Sequence, residues 1–183
     1  MKIFIYLLLV VSLQACVIHL PSIPQKAPKD ASKVSTDITV EYDKFNNTTS
    51  IRTPLYLSRK GFTDTFPVQL RFRSTYQNDA RLFIQLYVVV SDVDWGFYHS
   101  ANGEDGYSFD FIDIDSKASV ELNMVNTKEV FGVSVPIEYL RKIAGKDWEV
   151  KAYGKRKEGT FIIPGSLSAA FLKELECFEE KNC

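Results

Sequence analysis

The feature that most constrains this chain is a repeat of two. Val68, Leu70 and Phe72 alternate with Gln69, Arg71 and Arg73. That spacing turns every apolar side chain to one face of an extended strand. Ile38, Val40 and Tyr42 alternate in the same way with Thr39, Glu41 and Asp43, and Asn46-Asn47 then marks a turn. An extended run resumes from Ile51 to Leu57. Leu82, Ile84, Leu86, Val88 and Val90 form one face of a longer run, and Phe83, Tyr87 and Val89 make its other face partly apolar. A strand apolar on both faces belongs in the middle of a sheet. Shorter alternating stretches follow at Tyr107–Phe111, Val120–Met124, Phe131–Val135, Trp148–Ala152 and Thr160–Ile163.

Two segments follow a helical period instead. Pro136 to Ala144 places Ile137, Leu140, Ile143 and Ala144 on one side, with proline at its start and Gly145 just past its end. Ser166 to Glu179 places Leu167, Phe171, Leu175 and Phe178 at helical spacing, with Ser166 positioned to cap the first turn. Strands at short intervals, joined by turn residues, predict antiparallel pairing rather than βαβ units. The expected fold is mainly β: an antiparallel sandwich, immunoglobulin-like in layout, with a short helix and a C-terminal amphipathic helix. A β-barrel with a lid helix satisfies the same pattern.

The N-terminus follows other rules. Lys2 precedes a run from Ile3 to Leu13 that is almost entirely apolar and too short to span a bilayer. The run ends in Leu13-Gln14-Ala15-Cys16. An ordinary leader cut after Ala15 asks for a small residue at position 13, where Leu13 stands. The tetrapeptide resembles the lipobox of bacterial lipoproteins. That resemblance implies a signal peptide over 1–15 and acyl chains, palmitate among them, on Cys16 as the new N-terminus. More than one chain gives stable membrane anchoring. Val17 stands where aspartate often marks inner-membrane retention in that family, so the resemblance implies the outer membrane, facing the periplasm. Pro21, Pro24 and Pro28 lie among small and polar residues, so 16–36 reads as a flexible tether and 37–183 as the folded domain. The C-terminal stretch from Tyr153 is also vaguely similar to the ends of small uncharacterised bacterial lipoproteins, which implies no activity.

Charge and composition narrow the partners. The chain has 22 Lys+Arg against 23 Asp+Glu, which gives no basic footprint for nucleic acid. With Cys16 acylated, Cys177 and Cys183 form an even pair, and CFEEKNC can close a ring if the helix unwinds after Glu179. Two free thiols are the equal alternative. No metal set or cofactor is expected.

Catalytic candidates are sparse. His99 is the one imidazole of the domain, and no G-x-S-x-G elbow accompanies it. Asp92, Asp94, Glu104, Asp105, Asp110, Asp113 and Asp115 crowd the middle of the chain. Facing carboxylates can hydrolyse glycosides and oxygen-rich loops can hold calcium. Aspartates alternating along strands more simply keep exposed edges from pairing. The stretch DVDWGFYHSANGEDGYSFDF carries Trp95, Phe97, Tyr98, His99, Asn102 and Tyr107 around a glycine-rich turn. Such a loop can stack on a sugar or anchor a protein partner, or its aromatics can serve the core. Lys155-Arg156-Lys157 reads as a basic hairpin tip able to meet anionic headgroups. The expected function is that of a membrane-anchored, non-enzymatic binding or assembly module for an envelope protein or glycan. The alternatives are an envelope hydrolase using His99 or the Asp92/Asp94 region, and a structural envelope protein without a specific ligand.

Overall fold

The computed structural model describes residues 25–58, 68–121 and 124–181. Its elements are α1 (Ala31–Ser35), β1 (Thr39–Asp43), β2 (Thr48–Arg52), β3 (Tyr56–Ser58), β4 (Val68–Gln77), β5 (Ala80–Asp92), β6 (Tyr98–Gly103), β7 (Ser108–Glu121), β8 (Met124–Ser134), α2 (Ile137–Ile143), β9 (Trp148–Gly154), β10 (Glu158–Ile163) and α3 (Gly165–Glu180). The fold is mainly β and antiparallel, with a short helix and a C-terminal helix, as the alternation predicts. The strands form one path, β1-β2-β4-β5-β8-β7-β6-β9-β10, with β3 attached to β4. The two layers of the expected sandwich are therefore two halves of one sheet, curled into a half-barrel.

β7 is where the sheet changes halves. Ser108 and Phe109 pair with β6, whereas Asp110 to Glu121 pair with β8. A bulge at Asp113/Asp115 shifts the register and bends the strand. Beyond Phe109 one side of β7 has no neighbouring strand among the described residues, and this is where Asp110, Asp113 and Asp115 fall. The aspartates thus guard an edge, as the sequence suggested. At the open side of the curl, the Ser58 hydroxyl donates to the carbonyl of Ile162 and accepts from its N–H at 2.9 Å. One side chain thereby links β3 to β10 across a gap that no backbone ladder fills.

The concave side holds the core. Phe72 of β4 stacks on Phe171 of α3 with centroids 5.2 Å apart, and both rings are fully buried. Two turns further along, Phe178 meets Tyr76 at 4.8 Å, and the Tyr76 hydroxyl donates to Glu179 at 2.8 Å. The helix therefore covers the sheet with an apolar stripe and locks its end with a polar contact.

Several local readings change. The run Ile51–Leu57 is two strands, because Pro54 cannot continue a ladder. The pieces at 107–111, 120–124 and 131–135 belong to two long paired strands, β7 and β8. Ser166 does not cap α3: its hydroxyl donates to the carbonyl of Pro28 at 2.6 Å. The free N–H of Gly165 is instead accepted by Asp147 Oδ1 at 2.7 Å. The body also starts before Asp37. Gln25 bridges to Tyr56, α1 packs on α3, and Val34 is fully buried. Residues 25–36 thus belong to the domain rather than to a tether, and 1–24, including Cys16, lie outside the described residues.

Truncating Phe171 to alanine removes the centre of the helix–sheet contact. The expected cost is roughly 3–5 kcal/mol, read as a lower midpoint in denaturant unfolding.

Candidate functional site

Where β5 ends at Asp92, the chain leaves the sheet for a loop and re-enters at Tyr98. Two buried carboxylates brace this loop. Asp92 is 8% exposed and Glu129 is 7% exposed. Asp92 lies opposite Thr127, and Glu129 is two residues further along β8, on the same face. Asp92 Oδ1 accepts from the N–H of Val93 at 2.6 Å, and Oδ2 accepts from Lys157 Nζ at 2.6 Å. Glu129 accepts from the N–H of Gly96 at 2.6 Å and from that of Tyr98 at 3.3 Å. The turn between β9 and β10 ties in as well, with Arg156 N donating to Gly96 O at 3.1 Å and Lys155 N to Phe97 O at 3.2 Å.

This bracing sets what the loop presents. Phe97 adopts φ 53, a left-handed conformation unusual for an aromatic residue. Its ring is 43% exposed, stacks on Trp95 at 6.0 Å, and lies 5.4 Å from the Arg156 guanidinium. Val93, at the start of the same loop, is 48% exposed. Tyr98 turns the other way. Its ring packs on Phe131 at 5.6 Å, and a Cβ at Gly96 would sit 2.5 Å from it, so only glycine admits the ring there. Burial first, and then the charges of Glu129 and Asp92, push the Tyr98 phenol up to about 12. His99 is exposed, with Nδ1 3.3 Å from the Phe97 carbonyl. A cleft of about 230 Å³ runs beside it, and Asp113, Ser116, Glu129 and Lys155 also line this cleft.

The six residues singled out in the sequence do not form one site. β6 carries the chain away from Trp95, Phe97, Tyr98 and His99 before Asn102 and Tyr107 appear. Tyr107 packs on Tyr139 of α2 at 4.8 Å and on Phe109 at 4.9 Å. It belongs to an aromatic cluster that also includes Trp148. Asn102 is paired within the sheet, opposite Ser108 and Lys151. The NGEDG tip is tethered to the body. Asp105 accepts from the Tyr139 hydroxyl at 2.9 Å, from the N–H of Tyr107 at 3.2 Å, and from Lys142 Nζ at 2.6 Å. The Lys142 contact is the main cause that brings the Asp105 carboxyl down to about 2.

The carboxylates proposed for hydrolysis separate as well. Asp92 is buried in its ion pair with Lys157, whereas Asp94 is exposed. Of the basic tip, Lys155 and Arg156 face outward and Lys157 points in. Among the described residues no three His, Cys, Asp or Glu side chains converge as a metal site would need. Glu129, which holds the loop, was missed in the sequence. Its signal was parity: it alternates in step with Phe131, Val133 and Val135. Cys177 is a disulfide cysteine, and α3 ends at Glu180 with Lys181 at φ 56. The CFEEKNC ring requires such an unwinding, but Cys183 lies outside the described residues. No described helix is long and apolar enough to cross a membrane. The chain matches no family model, no curated protein and no solved structure.

Two outcomes follow. Glu129→Ala leaves the N–H groups of Gly96 and Tyr98 without their acceptor, so stability falls by roughly 1–3 kcal/mol. Glu129→Gln, which keeps a side-chain oxygen, loses less in the same denaturation experiment. For Asp105 the folded carboxyl titrates below its unfolded value of about 4. Its stabilisation is complete above that pH and is lost as pH falls through about 2. Thermal melts across that acid window should fall more steeply for the wild type than for Asp105→Asn.

Proposed function

We propose that this chain is a lipid-anchored envelope protein whose domain is a non-enzymatic binding or assembly module. The anchor reading rests on the resemblance of Leu13-Gln14-Ala15-Cys16 to a lipobox, and it directs the domain to the outer membrane, facing the periplasm. The observation that carries the binding reading is the braced loop. Asp92 and Glu129 are engaged in holding it, and they hold Val93 and Phe97 out in solvent beside Trp95. Exposed apolar side chains on a rigid backbone are suited to recognition, because little conformational freedom is lost on contact. Arg156 over Phe97, with Lys155 adjacent, adds the aromatic and arginine character typical of interface anchors. The partner this surface suits is an envelope protein or a glycan.

A hydrolase remains the second reading, on one observation: His99, Asp113 and Ser116 line the same cleft. No hydrogen bond joins these three side chains among the described residues, so they do not form an assembled triad.

The anchor is tested by intact mass of the protein extracted from membranes, where a species starting at Cys16 plus acyl mass is expected. The binding surface is tested by a photo-crosslinking residue at position 97 in living cells, compared with position 45. Phe45 is 88% exposed but lies on the β1–β2 turn. Discrete adducts with an envelope protein, or co-sedimentation with purified peptidoglycan that Trp95→Ala abolishes, are expected from position 97 alone. Equal labelling at both positions would refute the assignment. Hydrolysis of an envelope substrate that disappears in His99→Ala would favour the second reading.

A further inference from the structure

The convex face of the sheet carries a second cluster, built from β4, β5 and β8. Leu70, Phe72 and Ser74 point into the core, so Arg71 and Arg73 point outward. Tyr87 lies directly opposite Arg71, and Gln85 lies opposite Arg73. Both guanidinium carbons lie 4.8 Å from the centroid of the Tyr87 ring. Two like charges thus share one aromatic ring. Gln85 fixes the second of them, accepting from Arg73 Nε at 2.7 Å. Gln85 is only 4% exposed, and its amide occupies the space over Gly132, where a Cβ would come within 2.1 Å of it.

The charges are not balanced. Among the described residues no carboxylate pairs with either arginine, and the buried Nε of Arg71 has no hydrogen-bond partner. Of the acids on this face, Glu41 pairs with Arg52 and Asp115 with Lys117 at 2.8 Å, while Asp110, in the same register row as Gln85 and Arg73 but two strands beyond Gln85, pairs with neither arginine. Partial burial disfavours the charged form of both arginines; Tyr87 opposes this for each, while Arg52 adds to it for Arg71 and Arg71 adds to it for Arg73. Two half-buried cations held together without a counter-ion are costly unless an anion completes them. Their planar, forked donors match the oxygens of a phosphate group, and the stacking on Tyr87 orients them in advance.

We propose that Arg71, Arg73 and Tyr87 form a binding site for a phosphate group, with Gln85 as the positioning residue for Arg73. The site is independent of the loop at Phe97 and of the anchor on Cys16. Its ligand is a free phosphate or the phosphate of a lipid headgroup, since both offer the same oxygens.

The test is phenylglyoxal modification of the full-length protein in detergent, mapped by mass spectrometry. Inorganic phosphate and dihexanoyl phosphatidic acid are the two probes, with chloride at equal ionic strength as control. Arg156, exposed on the β9–β10 turn, is the internal reference. Modification of Arg71 and Arg73 should slow about tenfold with a probe while Arg156 keeps its rate. Protection by inorganic phosphate at the lower concentration identifies a free oxyanion, and protection by the phosphatidic acid at the lower concentration identifies a headgroup. In calorimetry, Arg73→Gln should weaken binding of the protecting probe by about tenfold. Gln85→Leu should weaken it less, since it removes the positioning contact alone. No protection by either probe, or equal slowing at Arg156, overturns the proposal. Because the footprint is read on the protein without substitutions, that outcome does not depend on how any variant folds.

Discussion

The seating of α3 on the concave side of the sheet is the contact on which the rest of the structure depends. A curled sheet has an inner face that must be covered, and a half-barrel leaves that face open on one side. Phe171 against Phe72, Phe178 against Tyr76, and the fully buried Leu167 and Leu175 supply the cover. The helix also collects the N-terminal segment, through Val34 and the bond from Ser166 to Pro28. The segment 25–36, the sheet and the C-terminal helix are thereby joined in one core.

Polar groups then close what the apolar contacts leave open. Ser58 links β3 to β10, Asp147 satisfies the first turn of α3, and Glu179 receives both Tyr76 and Arg81. Each is one side chain serving backbone groups or charges from a distant part of the chain. The loop at Asp92–Tyr98 is the same device applied at the surface. There the buried carboxylates of Asp92 and Glu129 replace a ladder and hold aromatics outward. On the opposite face, Tyr87 brings Arg71 and Arg73 together, and no carboxylate among the described residues pairs with either. One sheet thus carries a rigid apolar tip at one place and an uncompensated cationic pair at another.

Much of the fold was legible because period two is a local property. Leu70 and Phe72 against Arg71 and Arg73 needed no partner to be read as inside and outside, and the long apolar run through Val88 had to be central. The helix at 165–180 was visible for the same reason, as its stripe repeats at 3.6. The local rule misled where a neighbour decides. Val40 and Tyr42 alternate like core residues but are exposed, because β1 is the last strand at one end of the described sheet. Ser166 looked like a cap, yet Asp147 had already been brought to the helix start by the α2–β9 connection.

The sequence by itself determined a mainly antiparallel β domain, its central strand and its two longer helices; the proposed envelope address rests on the resemblance of Leu13-Gln14-Ala15-Cys16 to a lipobox. Only the tertiary structure decided that the strands form one curled path, and that Tyr107 packs on Tyr139 and Phe109 while Phe97 stacks on Trp95 beside Arg156. It also decided that Glu129 braces a loop 31 to 33 residues away in the chain, and that Arg71 and Arg73 share a ring. The physical reason is range. Alternation and helical spacing are set by backbone geometry within a few residues, whereas which buried charge meets which amide is set by strand register across the whole sheet.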